Sequence, residues 1–339
     1  MDPGSIDWER VRRLTVVPFL PDGRCALIRT GDRLALPSGE VLAGEDPALD
    51  TALRVPLLTA GFRRQGLHPF AISGDHGAVW SEGDDGYRGT RPHAEVKLWK
   101  GSAAEAARRL RAAGDEPPAA LVEAADRARR EQDDESFYRD HLWLLETSYL
   151  RSGTPRGGSG FGGTAAAWRA HRGHLCQAVE RDGSFLDVGC ANGHLLESMV
   201  DWGAEAGVRL EPYGVDLSTG LVAEARRRRP GWADRIWVGN ALDWTAPGGR
   251  RFDYVHTLLD LVPEGRLGQM VCHQLDHLVA PGGRLLVSNY VPVGDRARHA
   301  DAVLRRLGFT VDGRTTPAEV AGRGHAPSAW IERRQEAPV

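Results

Sequence analysis

Phe185–Gly193 reads FLDVGCANG, a short apolar run broken by an acid and two glycines, with a helix-like stretch from His194 through Met199 behind it. An apolar run of this length that ends in glycines is a buried strand, and Gly189 and Gly193 permit the tight turn that closes it. A strand, a glycine loop and a helix in that order constrain the fold more than any other feature of the chain. They are the opening unit of an open α/β sheet, and the loop leaves backbone amides uncovered where a ligand can approach the main chain.

The loop differs from a nicotinamide fingerprint, which carries GxGxxG without an acid in front. Here Asp187 lies two positions before Gly189, and Ala191 stands where a middle glycine would be. Further strand ends follow in order. Tyr213–Ser218 (YGVDLS) is an apolar strand ending in Asp216, where a carboxylate can accept ribose hydroxyls or cap the following helix. Trp237–Trp244 (WVGNALDW) is a third strand end, Phe252–Pro263 (FDYVHTLLDLVP) runs from a buried strand into a loop, and Ala280–Tyr290 (APGGRLLVSNY) feeds a Pro-Gly-Gly turn into another strand.

These segments together resemble the class I S-adenosylmethionine (SAM)-dependent methyltransferases over roughly residues 136–335. The resemblance implies a C-terminal Rossmann-like, seven-stranded, mainly parallel sheet with a final antiparallel hairpin, and SAM as cofactor. Carried over position by position, the cofactor-binding set is Asp187, Gly189, Cys190, Ala191, Gly193, Asp216, Leu217, Asn240, Ala241 and Phe161. Asn240 departs from the commoner acid, although its amide oxygen can still accept from an adenine amine. Cys190 reads as a small packing residue of the loop rather than a nucleophile. In this family the loop after the fourth strand faces the transferring methyl, and His256 and Asp260 are assigned to it as a base and its partner or as two separate substrate contacts. Tyr290 and His194 are further candidates, and each of these residues can also be an ordinary satisfied polar group.

The first part of the chain reads differently, as short strands separated by turns. Arg13–Phe19 and Arg24–Ile28 flank Pro21-Asp22-Gly23, a hairpin turn. Leu34–Glu45 (LALPSGEVLAGE) resembles the opening of a Nudix hydrolase box through Gly39 and Glu45, and the resemblance implies an N-terminal α+β Nudix-like domain over roughly residues 10–100. The box then fails. Val55, Leu58 and Thr59 stand where metal-binding carboxylates belong, hard cations need oxygen ligands, and Pro56 falls inside the expected helix. Metal-dependent hydrolysis is not expected and no metal ligands are assigned, with Glu45, Asp46 and Asp50 read as a reduced metal site or as acids favouring a helix start. Strands at His68–Ser73, Ala78–Ser81 and His93–Trp99 complete the sheet, and Asp84, Asp85 and Tyr87 lie in a turn-rich loop, Gly83–Gly89.

Helices are expected at Ala103–Ala113 and Ala119–Arg130, split by the breaker Asp115–Pro118, then at Ser136–Leu150 and Ala165–Val179. Between the last two, Arg151–Gly163 (RSGTPRGGSGFGG) is either a flexible linker or a lid over the cofactor, in which case Phe161 and Trp168 shield the sulfonium. At the end of the chain, Ala300–Leu307 reads as a helix, and Phe309–Gly313 and Ser328–Arg333 as strands. The domains are 1–130 and 131–339, with a lid segment at 136–170.

A net charge of −3 and a pI near 6.5 disfavour nucleic acid as partner. Lys97 and Lys100 are the only lysines, and this arginine bias with abundant Ala and Gly fits a GC-rich, bacterial genome. The four cysteines are scattered without a CxxC pair, which disfavours zinc and disulfide frames. No apolar leader or membrane span is present, so a cytoplasmic location without membrane association is expected. The expected activity is methyl transfer to a small molecule at O, N or C, with the first domain serving substrate selection, homodimerisation or stability. A nucleoside diphosphate hydrolase fusion and a non-catalytic SAM- or nucleotide-binding regulator are the alternatives.

Overall fold

The computed structural model describes residues 1–64, 66–84, 97–291, 294–318 and 326–334. Two compact units divide the chain, Met1–Leu144 and Leu145–Val339. The division lies inside a helix, beyond the 130/131 boundary assigned from sequence.

The first unit holds one mixed eight-stranded sheet. Its strands are β1 (Arg13–Phe19), β2 (Cys25–Thr30), β3 (Arg33–Ala35), β4 (Ser38–Glu40), β5 (Arg63–Arg64), β6 (His68–Ser73), β7 (His76–Asp84) and β8 (Lys97–Gly101). β1 pairs parallel with β7 and antiparallel with β2 and β4, while β8 adds to β2 and β6 to β7. Residues 85–89 of the expected loop and 93–96 of the expected last strand lie outside the described residues.

Helix α1 (Ala52–Ala60) contains Pro56 and is preceded by a wide helical turn at Pro47–Thr51. The sequence counts Pro56 against this helix, since it removes one backbone bond. The compensation is tertiary. Val55 and Pro56 are buried, the Asp46 carboxylate accepts from the amides of Ala48 and Leu49, and Gly61 closes the end with φ +63°. Helices α2 (Ala103–Ala112) and α3 (Glu116–Arg130) follow. The breaker read at Asp115–Pro118 separates them, but its prolines belong to the first turn of α3, where the missing N–H has no intrahelical partner to lose. Ala106, Ala107, Leu110, Ala119, Val122 and Ala125 form a core with Phe19, Leu27 and Trp80 of the sheet. Helix α4 (Asp134–Leu150) carries the chain across the division.

In the second unit, α5 (Ala165–Arg172) gives way at Gly173 to a 3-10 segment, Gly173–Ala178, so the single helix expected to Val179 is broken. The remaining elements are β9 (Gly183–Val188), α6 (His194–Glu205), β10 (Leu210–Asp216), α7 (Thr219–Arg228), β11 (Ile236–Val238), β12 (Phe252–Leu258), α8 (Leu267–His277), β13 (Val279–Ser288), α9 (Ala300–Arg306), β14 (Gly313–Arg314) and β15 (Ala329–Glu332). The strand expected at Phe309–Gly313 is the two-residue β14. The seven-stranded sheet runs β11-β10-β9-β12-β13-β15-β14, parallel except for β15, which is antiparallel to both neighbours. Its buried faces pack Phe185, Leu196, Met199, Val222 and Tyr254 into one core. Strand order reverses at β9, with β10 on one side and β12 on the other. In open α/β sheets ligands bind in the crevice outside the carboxyl ends of the strands at such a reversal. Among the described residues no helix is long and apolar enough to cross a membrane.

Candidate functional site

The chain leaves β9 through Gly189 (φ +82°) and enters α6 through Gly193 (φ +76°). A side chain at Gly189 would meet Leu261 at 2.7 Å, so both the backbone angle and the approach of the loop after β12 require glycine there. Ala191 is the one non-glycine with positive φ among the described residues, at +47°. Its amide donates to Asp216 Oδ2 at 2.8 Å, and the Ser218 amide donates to Asp216 Oδ1 at 2.9 Å. The carboxylate at the end of β10 is thus pinned beside the loop with lone pairs to spare. Burial pushes its pKa up to about 6, against the pull of those two amides, and the neighbouring Asp187 and Glu146 add to the rise.

Cys190 is 1% exposed, and burial raises its thiol well above the usual range, which makes it a packing side chain. Leu217 follows Asp216 half-buried. Beyond β11, Asn240 and Ala241 are half-buried as well. Asn240 spends its amide oxygen on the Leu242 amide at 3.0 Å and Ala241 accepts from Gln274 at 3.2 Å, so this turn is fixed by its own bonds.

The glycine-rich run 151–163 is packed on the loop. Asn192 donates to the Pro155 carbonyl at 2.9 Å and accepts from the Ser159 hydroxyl at 2.9 Å. Gly158 and Gly160 sit where a side chain would clash: one at Gly158 would meet Asn192 at 2.4 Å, and one at Gly160 would meet the Tyr149 hydroxyl. Phe161 packs edge-on against Trp168 at 5.5 Å, and Trp168 stacks on His194 at 5.0 Å while donating to Ser198. His194 is also tied to Glu197 at 3.1 Å.

The sequence-based location of His256 needs correction. It is the fifth residue of β12, not part of the loop after it, and is 1% exposed. Strand register sets it beside Asp187, whose Oδ1 lies 2.7 Å from Nδ1, and Nε2 lies 3.0 Å from the Ser288 hydroxyl. With both ring nitrogens engaged, the imidazole has neither a lone pair nor an N–H left for a substrate atom. Asp260 does lie in that loop and is exposed, and its charge is felt by Tyr149, Arg172 and Tyr290. Tyr290 follows β13, with its hydroxyl buried near Ser288 and its pKa raised by burial to about 12.

Two residues of this cluster escape sequence reading. Arg172, 7% exposed at the end of α5, lies with its guanidinium 3.2 Å from the Tyr290 ring centroid and 5.1 Å from that of Trp168. Burial lowers its pKa, opposed by Tyr290, Tyr149, Asp260 and Asp187. A buried cation held by aromatic faces can take the carboxylate of an amino-acid ligand. In a chain so rich in arginine nothing distinguishes it beforehand. Tyr149, its pKa raised by burial, comes from α4 and reads in sequence as one more aromatic of an amphipathic helix.

In the first unit, both Glu45 oxygens are taken by Arg54, at 2.5 and 2.8 Å, and Oε2 also by Thr51 at 2.7 Å. The Arg54 bonds hold the Glu45 pKa down to about 2. Asp46 caps the helical turn that follows it, and Asp50 within that turn accepts from the Asp46 amide at 3.0 Å. Among the described residues no group of three or more His, Cys, Asp or Glu is arranged to hold a metal ion.

No curated protein matches the chain. Among solved structures, similarity extends to a chain from the complex of the Haloferax volcanii Trm112 methyltransferase activator with a putative methyltransferase (14% identity, 51% of this chain, 91% of that one, TM-score 0.40). It extends also to the glycopeptide N-methyltransferase MtfA (18%, 51% and 91%, TM-score 0.39) and to a SAM-dependent methyltransferase from Aquifex aeolicus (12%, 56% and 98%, TM-score 0.39). Residues 185–283, which span the glycine loop, both strand ends behind it and the loop after β12, match the family model of a methyltransferase domain.

Proposed function

We propose that the chain is a SAM-dependent methyltransferase acting on a small-molecule acceptor. The observation that carries this reading is the Asp216 carboxylate, fixed by the Ala191 and Ser218 amides at the mouth of the switch-point crevice. A carboxylate so held, beside the glycine loop, suits a ribose diol. The methyl donor is SAM: Asp216 takes its ribose, Leu217, Asn240 and Ala241 border its adenine, and Asp187 and Arg172 meet the ammonium and carboxylate of its amino-acid end. Phe161 lies on the covering segment.

Methyl transfer from a sulfonium is an in-line displacement, and the chief tasks of the protein are alignment and exclusion of water. Asp260 and Tyr290 line the acceptor side, with Asp260 the carboxylate available to take a proton from the acceptor. His256 does not act as base. The first unit, Nudix-like but without hydrolytic function, serves substrate selection or assembly. The ion pair that consumes Glu45 supports this over the hydrolase alternative.

Incubation with methyl-labelled SAM and a panel of amines, phenols, carboxylic acids and carbon nucleophiles tests the reading. Label transferred to one acceptor class, and lost with Asp260→Asn, is the expected result. SAM binding without any labelled product would instead indicate a regulatory module.

A further inference from the structure

The core of the second unit contains a line of polar side chains that packing alone does not require. Asp187, His256 and Ser288 come from three adjacent parallel strands, β9, β12 and β13, and Ser328 immediately precedes β15. They are 2%, 1%, 1% and 2% exposed. Separations along the line are 2.7 Å from Asp187 Oδ1 to His256 Nδ1, 3.0 Å from His256 Nε2 to Ser288 Oγ, and 2.6 Å from Ser288 Oγ to Ser328 Oγ. A buried imidazole costs stability unless both nitrogens are satisfied, and an aliphatic residue would fill a central strand at no such cost.

The direction of the bonds follows from the chemistry of the ends. An ionised carboxylate only accepts, so Nδ1 carries the imidazole proton. When the ring is neutral, with Nδ1–H committed, Nε2 accepts from the Ser288 hydroxyl, and Ser288 in turn accepts from Ser328. Every hydrogen then has one acceptor, and the chain ends on Asp187.

We propose that His256 is a positioning residue: through Nδ1 it fixes the Asp187 carboxylate so that Oδ1 stays engaged in the core and Oδ2 is presented to the cationic amino group of SAM. The inference rests on the SAM-binding reading above. Asp187 lies two residues before Gly189, where the chain turns out of the sheet, so its rotamer decides whether a carboxylate oxygen meets the crevice. A carboxylate free to rotate would lose orientation on every binding event. The imidazole removes that freedom beforehand, and the serines in turn fix the imidazole.

The test compares the full-length wild type with His256→Leu and His256→Asn, measuring the SAM dissociation constant by calorimetry and the melting temperature of each. Asparagine restores an N–H toward Asp187, whereas leucine fills the space without a donor. The expected result is about a tenfold or larger loss of SAM affinity in His256→Leu, the KM for SAM rising more than kcat falls, and recovery to within about threefold in His256→Asn, as loss of one charge-assisted hydrogen bond implies. Equal affinity in folded His256→Leu and wild type, or equal losses in both variants, overturns the proposal and leaves the SAM-binding reading intact. Absence of SAM binding by the wild type overturns both. Should His256→Leu not fold, the imidazole 15N shifts of the wild type decide: a proton on Nδ1 supports the proposal, and one on Nε2 alone refutes it.

Discussion

Asp216 combines two properties that pull on pH in opposite senses. Its pKa, near 6 in the fold against an ordinary 3.8, means the folded protein holds a proton that the unfolded chain has already lost between those values. Ionised Asp216 therefore weakens the unliganded fold above pH 6, and that cost is relieved as pH falls toward 4. Ribose hydroxyls need the ionised form, so SAM affinity must fall as pH drops through 6. Calorimetry in buffers of different ionisation heat should register release of roughly half a proton per SAM bound near pH 6. An affinity flat between pH 7.5 and 5 would contradict this. Ala191 offers a second residue-level test: its positive φ stores strain that glycine relieves, so Ala191→Gly should raise stability by about 0.5–1 kcal/mol in a thermal melt, after the greater chain entropy of glycine is counted.

The segment 151–163 is tied to the glycine loop through Asn192. That side chain makes two hydrogen bonds to it, each contributing about 1 kcal/mol. Asn192→Ala should therefore speed proteolytic cleavage within 151–163 about tenfold or more, with SAM restoring protection; an unchanged cleavage rate would mean that other contacts hold the segment. In the first unit, α1 is anchored by the Glu45–Arg54 pair, whose side chains are 17% and 27% exposed. Because the pair depresses the Glu45 pKa from 4.5 to about 2, its contribution is complete above pH 4.5 and is lost as pH falls through 2. Glu45→Gln should cost about 1–2 kcal/mol at neutral pH, allowing for solvent screening, as read by denaturant unfolding. Loss of a magnesium-dependent phosphate release on the same substitution would favour the hydrolytic alternative.

Across the whole molecule, the sequence shows what depends on local chemistry and hides what depends on partners. FLDVGCANG, YGVDLS and FDYVHTLLDLVP mark strand ends through apolar runs closed by Gly, Asp or Pro, and the parallel order around β9 follows from them. Pro56 within α1 is not legible, because burial of its neighbours outweighs the bond it removes. Pro117 and Pro118 break one helix and begin another, which composition alone cannot separate. Arg172 is hidden among many arginines until its burial against Tyr290 is seen. His256 reads as a loop residue because the apolar run TLLDLV after it obscures where β12 ends, and only the register with β9 brings it to Asp187.

The central claim, that the switch-point crevice holds SAM through Asp216, is tested most directly by calorimetric titration of SAM into the full-length protein and its Asp216→Ala variant at pH 8. One SAM bound per chain, with affinity reduced about tenfold to a hundredfold by the substitution, is the predicted result. Undiminished binding by a folded Asp216→Ala protein, or no binding by the wild type, would contradict it.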